Sequence, residues 1–171
     1  MQNVGIIIGR FSPLHLGHIS LINYSLENND KTIVIIGSAE KIDEKNPYTL
    51  DERLEILKSE FDTSLTIDYL NDSKEDLIWI NNLNNIISKY SLISDNINFL
   101  GGDLKNDYAI NVIKEHIEKF NYQKISFFEK NRLKIPISAT IIRNLLKENN
   151  NEEAKKWLSE KTTSLIIKKS H

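Results

Sequence analysis

The chain has 171 residues and a mass of 19.8 kDa, enough for one ordinary hydrophobic core without covalent staples. With 22 Lys+Arg against 24 Asp+Glu the formal net charge is −2, which argues against a general nucleic-acid binder. The lack of Cys excludes a disulfide framework, a thiolate metal site and a cysteine nucleophile, and no apolar run approaches the roughly 18 residues of a membrane span. The first residues, MQNVGIIIGRF, carry no basic leader and only a short apolar stretch, so the expectation is a soluble cytoplasmic protein with no membrane partner.

Residues 4–9 form a short β-branched run closed by Gly9 and predict a buried strand. Residues 17–28 place Ile19, Leu21, Ile22 and Leu26 at helical spacing. Residues 31–36 predict a second buried strand, closed by Gly37. Thr49 and Glu52 make a capping-box pattern that opens a helix running to residue 61. A third strand is predicted over 65–70, a helix over 76–89 and a fourth strand over 96–100. Residues 105–119 predict a helix with Ile110, Ile113 and Ile117 on one face, and 124–128 a fifth strand. The remainder reads as helices at 138–148, 151–158 and 162–169. Strands alternating with helices of this length predict an α/β fold, a doubly wound parallel five-stranded sheet with a helical C-terminal segment.

Two biases mark candidate site residues. Only four of the 22 basic residues are Arg, namely Arg10, Arg53, Arg132 and Arg143. A sequence that uses Lys wherever a charge suffices keeps Arg where its planar fork is needed, as at a phosphate. Five of the six Gly (Gly9, Gly17, Gly37, Gly101 and Gly102) follow predicted strands or open the next helix. They outline a crevice beyond the carboxyl ends of the strands, where ligands bind in open α/β sheets.

Residues 9–18 read GRFSPLHLGH. His15 and His18 flank the predicted start of the first helix, whose N-terminus offers N–H groups and a positive dipole end. With Arg10 they compose a phosphate site. Metal ligation by the two His is the competing reading, and no third ligand lies nearby in the sequence. A purely structural role would account for one His better than for the ten-residue pattern.

That segment resembles the signature of the nucleotidyltransferase superfamily, Gly-x-Phe-x-Pro-x-His-x-Gly-His, at Gly9, Phe11, Pro13, His15, Gly17 and His18. Residues 137–143, ISATIIR, resemble its second motif, Ile-Ser-x-Thr-x-x-Arg, with Ser138 as helix cap, Thr140 in the first turn and Arg143 one turn in. Arg10, the run Gly37-Ser38-Ala39, residues 46–53 (NPYTLDER), Asp72 and Ile78-Trp79 are similar to the archaeal-type nicotinamide-nucleotide adenylyltransferases. Ser12, Leu14 and Asp76 stand where that family usually has Gln, an aromatic and often Asn. The resemblance covers most of residues 4–145. It implies a Rossmann-like sheet in a single nucleotidyltransferase domain over residues 1–171, with the α/β core at 1–137 and C-terminal helices at 138–171.

The activity implied is transfer of AMP from ATP to nicotinamide mononucleotide, forming NAD and pyrophosphate. The nucleophile is a phosphate monoester with a second pKa of about 6, so it needs no general base at neutral pH. The resemblance then implies His15, His18, Arg10 and Arg143 as catalytic donors on the triphosphate. It places Gly9, Phe11, Gly17, Gly101, Gly102, Asp103, Ser138 and Thr140 around ATP. Ser38, Arg53, Asp72, Asp76 and Trp79 fall to the mononucleotide, Arg53 on its phosphate and Trp79 stacked on its ring. Mg²⁺ is expected to bridge phosphate oxygens, with few protein ligands and no residue named as one. Archaeal relatives form rings of subunits, which leaves a homo-oligomer open. The alternatives are another transferase of the superfamily, acting on pantetheine phosphate or delivering CMP, and a non-catalytic nucleotide sensor. Preference between the amide and acid mononucleotides is not legible in the sequence.

Overall fold

The computed structural model describes residues 1–130 and 137–169. In chain order the elements are β1 Asn3–Gly9, α1 Leu16–Asn28, β2 Lys31–Ile36, α2 Leu50–Phe61, β3 Thr66–Tyr69 and α3 Asp76–Tyr90. There follow β4 Asn96–Gly101, α4 Tyr108–Glu115, β5 Lys124–Glu129, α5 Ala139–Lys147, α6 Asn151–Lys155 and α7 Glu160–Lys169. Arg132 and residues 170–171 lie outside the described residues.

The five strands are parallel in the order β3-β2-β1-β4-β5. Strand residues alternate between two cores, as a sheet buried on both faces requires. Val4, Ile6, Ile33, Ile35, Ile97 and Phe99 pack with Ile80, Leu83 and Ile87 of α3 and Ile110 and Ile113 of α4. Ile7, Val34, Ile36 and Leu100 face the other way, against Leu21 and Ile22 of α1, Ile56 and Leu57 of α2, and Ile142, Leu158 and Ile166 from the C-terminal segment. The order reverses between β1 and β4, which leaves a crevice at their carboxyl ends.

Most predicted elements stand within two residues of their expected bounds. Two predicted helices are shorter than expected: the one over 151–158 ends as α6 at Lys155, and the one over 105–119 is α4 at Tyr108–Glu115, followed by a 3₁₀ turn over Ile117–Lys119. Side chains set both ends. Asp103 accepts from the Asn106 N–H and side-chain amide, which ties up the expected first turn. Asp107 then caps the helix by accepting from Ile110 N–H at 3.1 Å. The helix stops at His116, so Ile117 leaves the apolar face and is 38% exposed. At the other end of the chain Ser159 Oγ accepts from Thr162 N–H and opens α7 two residues earlier than its predicted start at 162. Among the described residues no helix is long and apolar enough to cross a membrane.

Candidate active site

A cavity of about 540 Å³ opens at the carboxyl ends of the strands. Gly9 and Arg10 reach it from the end of β1, Gly37, Ser38 and Lys41 from the loop after β2, and Gly101 and Gly102 from the end of β4. His18 of α1 enters from one helix, Asp76 and Trp79 of α3 and Tyr108 of α4 from the opposite layer, and Asp72 from the loop before α3.

The turn from β1 into α1 is built around an imidazole. His15 is the N-cap of α1, and its Nδ1 accepts from Gly17 N–H at 3.1 Å and His18 N–H at 3.3 Å. In return His15 N–H donates to Nδ1 of His18 at 3.2 Å. The two rings stack with centroids 3.7 Å apart, and Phe11 meets His18 edge-on at 5.0 Å. An Nδ1 that accepts carries no proton, so the neutral rings carry theirs on Nε2. His18 is therefore set as a hydrogen-bond donor. His15, 1% exposed, does not line the cavity; it orients His18 and closes the helix end. The glycines of this turn make room for protein rather than for ligand. A Cβ on Gly17 would stand 2.9 Å from His15 Cε1, and one on Gly9 would stand 3.0 Å from the Phe11 ring.

Arg53 departs from its expected role on the mononucleotide phosphate. It is fully buried, and its five N–H donors all go to backbone carbonyls. Nε donates to Thr49, one terminal nitrogen to Arg10 and Gly37, and the other to Ser38 and Ala39, at 3.0–3.4 Å. Nothing is left for a phosphate. The residue ties the loop after β1 to the loop after β2, so it shapes the cavity from behind. Burial lowers its pKa, with Glu40 opposing and Arg10 adding to the shift.

At the far end of the cavity the polar groups are paired. Lys41 Nζ meets Asp72 Oδ2 at 2.6 Å, and Ser38 Oγ donates to both Asp72 oxygens at 3.0 and 3.1 Å. Burial alone would raise the Asp72 carboxyl. The Lys41 ammonium, the Ser38 hydroxyl and nearby Arg10 outweigh it and hold the group below the ordinary carboxylate range. Tyr108 Oη donates to Asp76 Oδ1 at 3.0 Å. Trp79 is half-buried, packed on the α3/α4 core while presenting to the cavity.

The second motif sits beside the cavity. Ser138 caps α5 by accepting from Ile141 N–H. Arg143 reaches back across the fold, donating to Ser12 O at 2.9 Å and Thr140 Oγ1 at 3.2 Å. Burial and the neighbouring charge of Arg10 both lower its pKa, so the two guanidinium groups sense each other.

A family model described as cytidylyltransferase-like matches residues 6–145. The chain belongs to that family. It is similar to the nicotinamide-nucleotide adenylyltransferase of Methanolobus tindarius, 33% identical over 93 residues that make 52% of this chain and 54% of the relative. The enzyme of the same name from Saccharolobus solfataricus is 41% identical over 56 residues, 32% of this chain and 33% of the relative. The chain thus spans about half or less of the length of the curated relatives it matches. Among solved structures, a bifunctional NMN adenylyltransferase/ADP ribose pyrophosphatase from Francisella tularensis superposes with a TM-score of 0.69 at 23% identity, over 87% of this chain and 43% of that one. An NadR protein in complex with NAD and AMP-PNP gives 0.68 at 24% identity, over 86% and 43%. A second Francisella tularensis structure holds AMP and a manganese ion. These likenesses show a shared Rossmann-like fold.

In this cytidylyltransferase-like chain, the cavity gathers Gly9, Arg10, Phe11, His18, Ser38, Asp72, Asp76, Trp79, Gly101 and Gly102 from among the expected site residues. His15, Gly17, Arg53, Asp103, Ser138, Thr140 and Arg143 do not line it. Asp103 instead holds the turn before α4. Lys41, which the sequence leaves as a surface residue in a loop able to close over the site, and Tyr108, which it does not mark, also line the cavity. Lys41 follows the Gly37-Ser38-Ala39 run by two residues, the one local signal; Tyr108 comes from an element with no motif.

Proposed function

We propose that the chain transfers the AMP moiety of ATP to nicotinamide mononucleotide, forming NAD and pyrophosphate. The observation that carries this reading is one cavity with two unlike ends. Arg10 and the Nε2 donor of His18 mark an anion end at the start of α1, and Trp79 beside Asp76 marks an aromatic and acidic end. A mononucleotide with a phosphate at one end and a pyridinium ring at the other matches both. The names of the curated relatives, and the NAD and AMP-PNP held by a solved neighbour, support the same assignment.

The mononucleotide phosphate oxygen forms a bond to the α-phosphorus of ATP. The bond from that phosphorus to the bridging oxygen breaks, and its electron pair leaves with pyrophosphate. The nucleophile arrives ionised, so the protein's part is to align two polyanions and stabilise charge on the α- and β-phosphates. Arg10 and His18 supply charged and neutral donors, and His15 positions His18. Arg143, anchored on Ser12 and Thr140, adds its charge from the side. The acidic groups lining the cavity are engaged, Asp72 by Lys41 and Asp76 by Tyr108. That arrangement suits Mg²⁺ arriving with ATP as part of the substrate, held chiefly by phosphate oxygens. Burial of Ile142, Leu158 and Ile166 in the core shared with β1 and β2 supports reading residues 1–171 as one nucleotidyltransferase unit.

The test is direct. Purified protein with ATP, Mg²⁺ and nicotinamide mononucleotide should release pyrophosphate and form NAD, read as NADH after coupling to alcohol dehydrogenase. Turnover with pantetheine phosphate, or with CTP and an alcohol phosphate, in place of this pair would refute the assignment within the family.

A further inference from the structure

Three metal-type ligands meet where the start of α3 approaches the end of α4. Asp76 in the first turn of α3, Glu115 at the last position of α4 and His116 directly after it each offer one atom, and these atoms all lie within 4.8 Å of one another. The end of α4 assembles the set. Successive side chains on an α-helix diverge by about 100°, so Glu115 and His116 inside a continuing helix would point apart. The helix stops instead at Glu115, and His116 takes non-helical dihedrals of φ −118° and ψ 30°. Both residues then address one carboxylate on the neighbouring helix. Their charges are not otherwise balanced: among the described residues no ion pair reaches Asp76 or Glu115. Lys114, next to Glu115 in the chain, lies over the Phe127 ring, 5.0 Å from its centroid. Two carboxylates held this close repel each other, and a bound cation relieves that repulsion.

We infer that Asp76, Glu115 and His116 form a site for a divalent transition cation of the zinc class, which braces the start of α3 to the end of α4. An imidazole with two carboxylates suits such ions, whereas Mg²⁺ and Ca²⁺ take oxygen ligands. Zinc holds nitrogen and oxygen at about 2.0–2.2 Å, which sets tetrahedral ligand atoms roughly 3.4 Å apart. The three atoms therefore need to draw in by about 1.4 Å at most, and Glu115 is exposed and free to turn. Tyr108 Oη donates to Asp76 Oδ1 at 3.0 Å, which orients that carboxylate as outer hydrogen bonds orient metal ligands and leaves Oδ2 for the ion. Water completes the coordination. The site uses neither Arg10 nor His18, so it is distinct from the Mg²⁺ that travels with ATP.

The full chain, free of nucleotide and in excess Mg²⁺, is titrated with Co²⁺ followed by its visible d–d absorption, and with Zn²⁺ followed by calorimetry. The buffer is at pH 8, where imidazoles are ordinarily neutral and able to bind a metal. One equivalent of either ion should bind, Zn²⁺ should displace Co²⁺, and Tm should climb with Zn²⁺ concentration. Tyr108→Phe should weaken the affinity by about 10- to 100-fold, the usual effect of losing an outer hydrogen bond. Glu115→Gln and His116→Gln each remove a ligand and should weaken it by more than that. Glu115 is exposed, so its variant keeps the test in hand if His116→Gln disturbs the end of α4. No saturable binding would overturn the inference. So would one equivalent retained at full affinity in both ligand variants, which would put the ion on the turn that carries His15 and His18. Neither readout depends on turnover, so failure here leaves the proposed activity standing.

Discussion

Replacing Arg53 by Lys separates a structural bracket from a substrate clamp. The guanidinium spends five donors on the carbonyls of Thr49, Arg10, Gly37, Ser38 and Ala39. A Lys ammonium has three donors and no planar fork, so at least two carbonyls lose their partner. Ser38 and Ala39 are buried, so water cannot readily replace it. Hydrogen bonds to a charged group contribute about 1.5–3 kcal/mol each, which puts the loss of two at about 3 kcal/mol or more. In a domain of this size 1 kcal/mol moves Tm by about 2–4 °C, so Arg53→Lys should melt about 6–12 °C lower. Calorimetry gives the Tm, and kinetics at a temperature where the variant stays folded give KM for each nucleotide. Both KM values should rise together, since the bracketed loops carry Arg10 on one side and Ser38 and Lys41 on the other. A Tm within about 1 °C of the parent, with KM raised about tenfold or more for the mononucleotide alone, would refute this account and return Arg53 to the substrate.

Gly17→Ala pushes a Cβ to 2.9 Å from the capping ring of His15; loss of that cap should cost about 0.5–2 kcal/mol in urea unfolding and lower kcat by misplacing His18. His18→Asn should lower kcat/KM by roughly 10- to 100-fold, the worth of one charge-assisted hydrogen bond. Its acid limb should persist near pH 6, where the mononucleotide phosphate titrates; a variant with no acid limb would show that His18 is a base. Tyr48 is pushed up to about 12 by burial, with Glu52 reinforcing and Arg143 opposing. Its folded value lies above the ordinary phenol value of about 10, so the stability it confers is complete below pH 10 and is lost as pH climbs through 12, by an amount on the order of a few kcal/mol. Tyr48→Phe should flatten that stretch of the stability profile, and the parent should show one phenol ionising near 12 in its ultraviolet titration.

The architecture was legible because each strand reads as a run of β-branched residues closed by a turn, and that pattern is local. The misjudged helix over 105–119 failed for an equally local reason. Asp103, Asn106 and Asp107 offer competing caps three and four residues apart, and hydrophobic spacing cannot tell which one the backbone takes. The site was legible where one segment carries it, as at Gly9, Arg10 and His18. What was not legible is which side chains from distant segments pair with each other. Lys41 acquires its role from Asp72, 31 positions along, and Tyr108 from Asp76, 32 positions back.

Arg53 shows what residue type alone can and cannot say. In a chain that uses Lys for most positive charges, retention of Arg signals a demand for the fork, and the demand is real at this position. The fork is satisfied by carbonyl oxygens of the protein's own loops, which take the donors a phosphate would otherwise receive. Arg10 and Arg53 therefore answer one requirement from opposite sides of a single loop: Arg53 holds the Arg10 carbonyl at 3.3 Å while the Arg10 side chain lines the cavity. The bias toward Lys identified both residues. Only burial distinguishes them, since an exposed fork at the mouth of a cavity can bind an anion and a fully enclosed one can only brace the backbone that presents it.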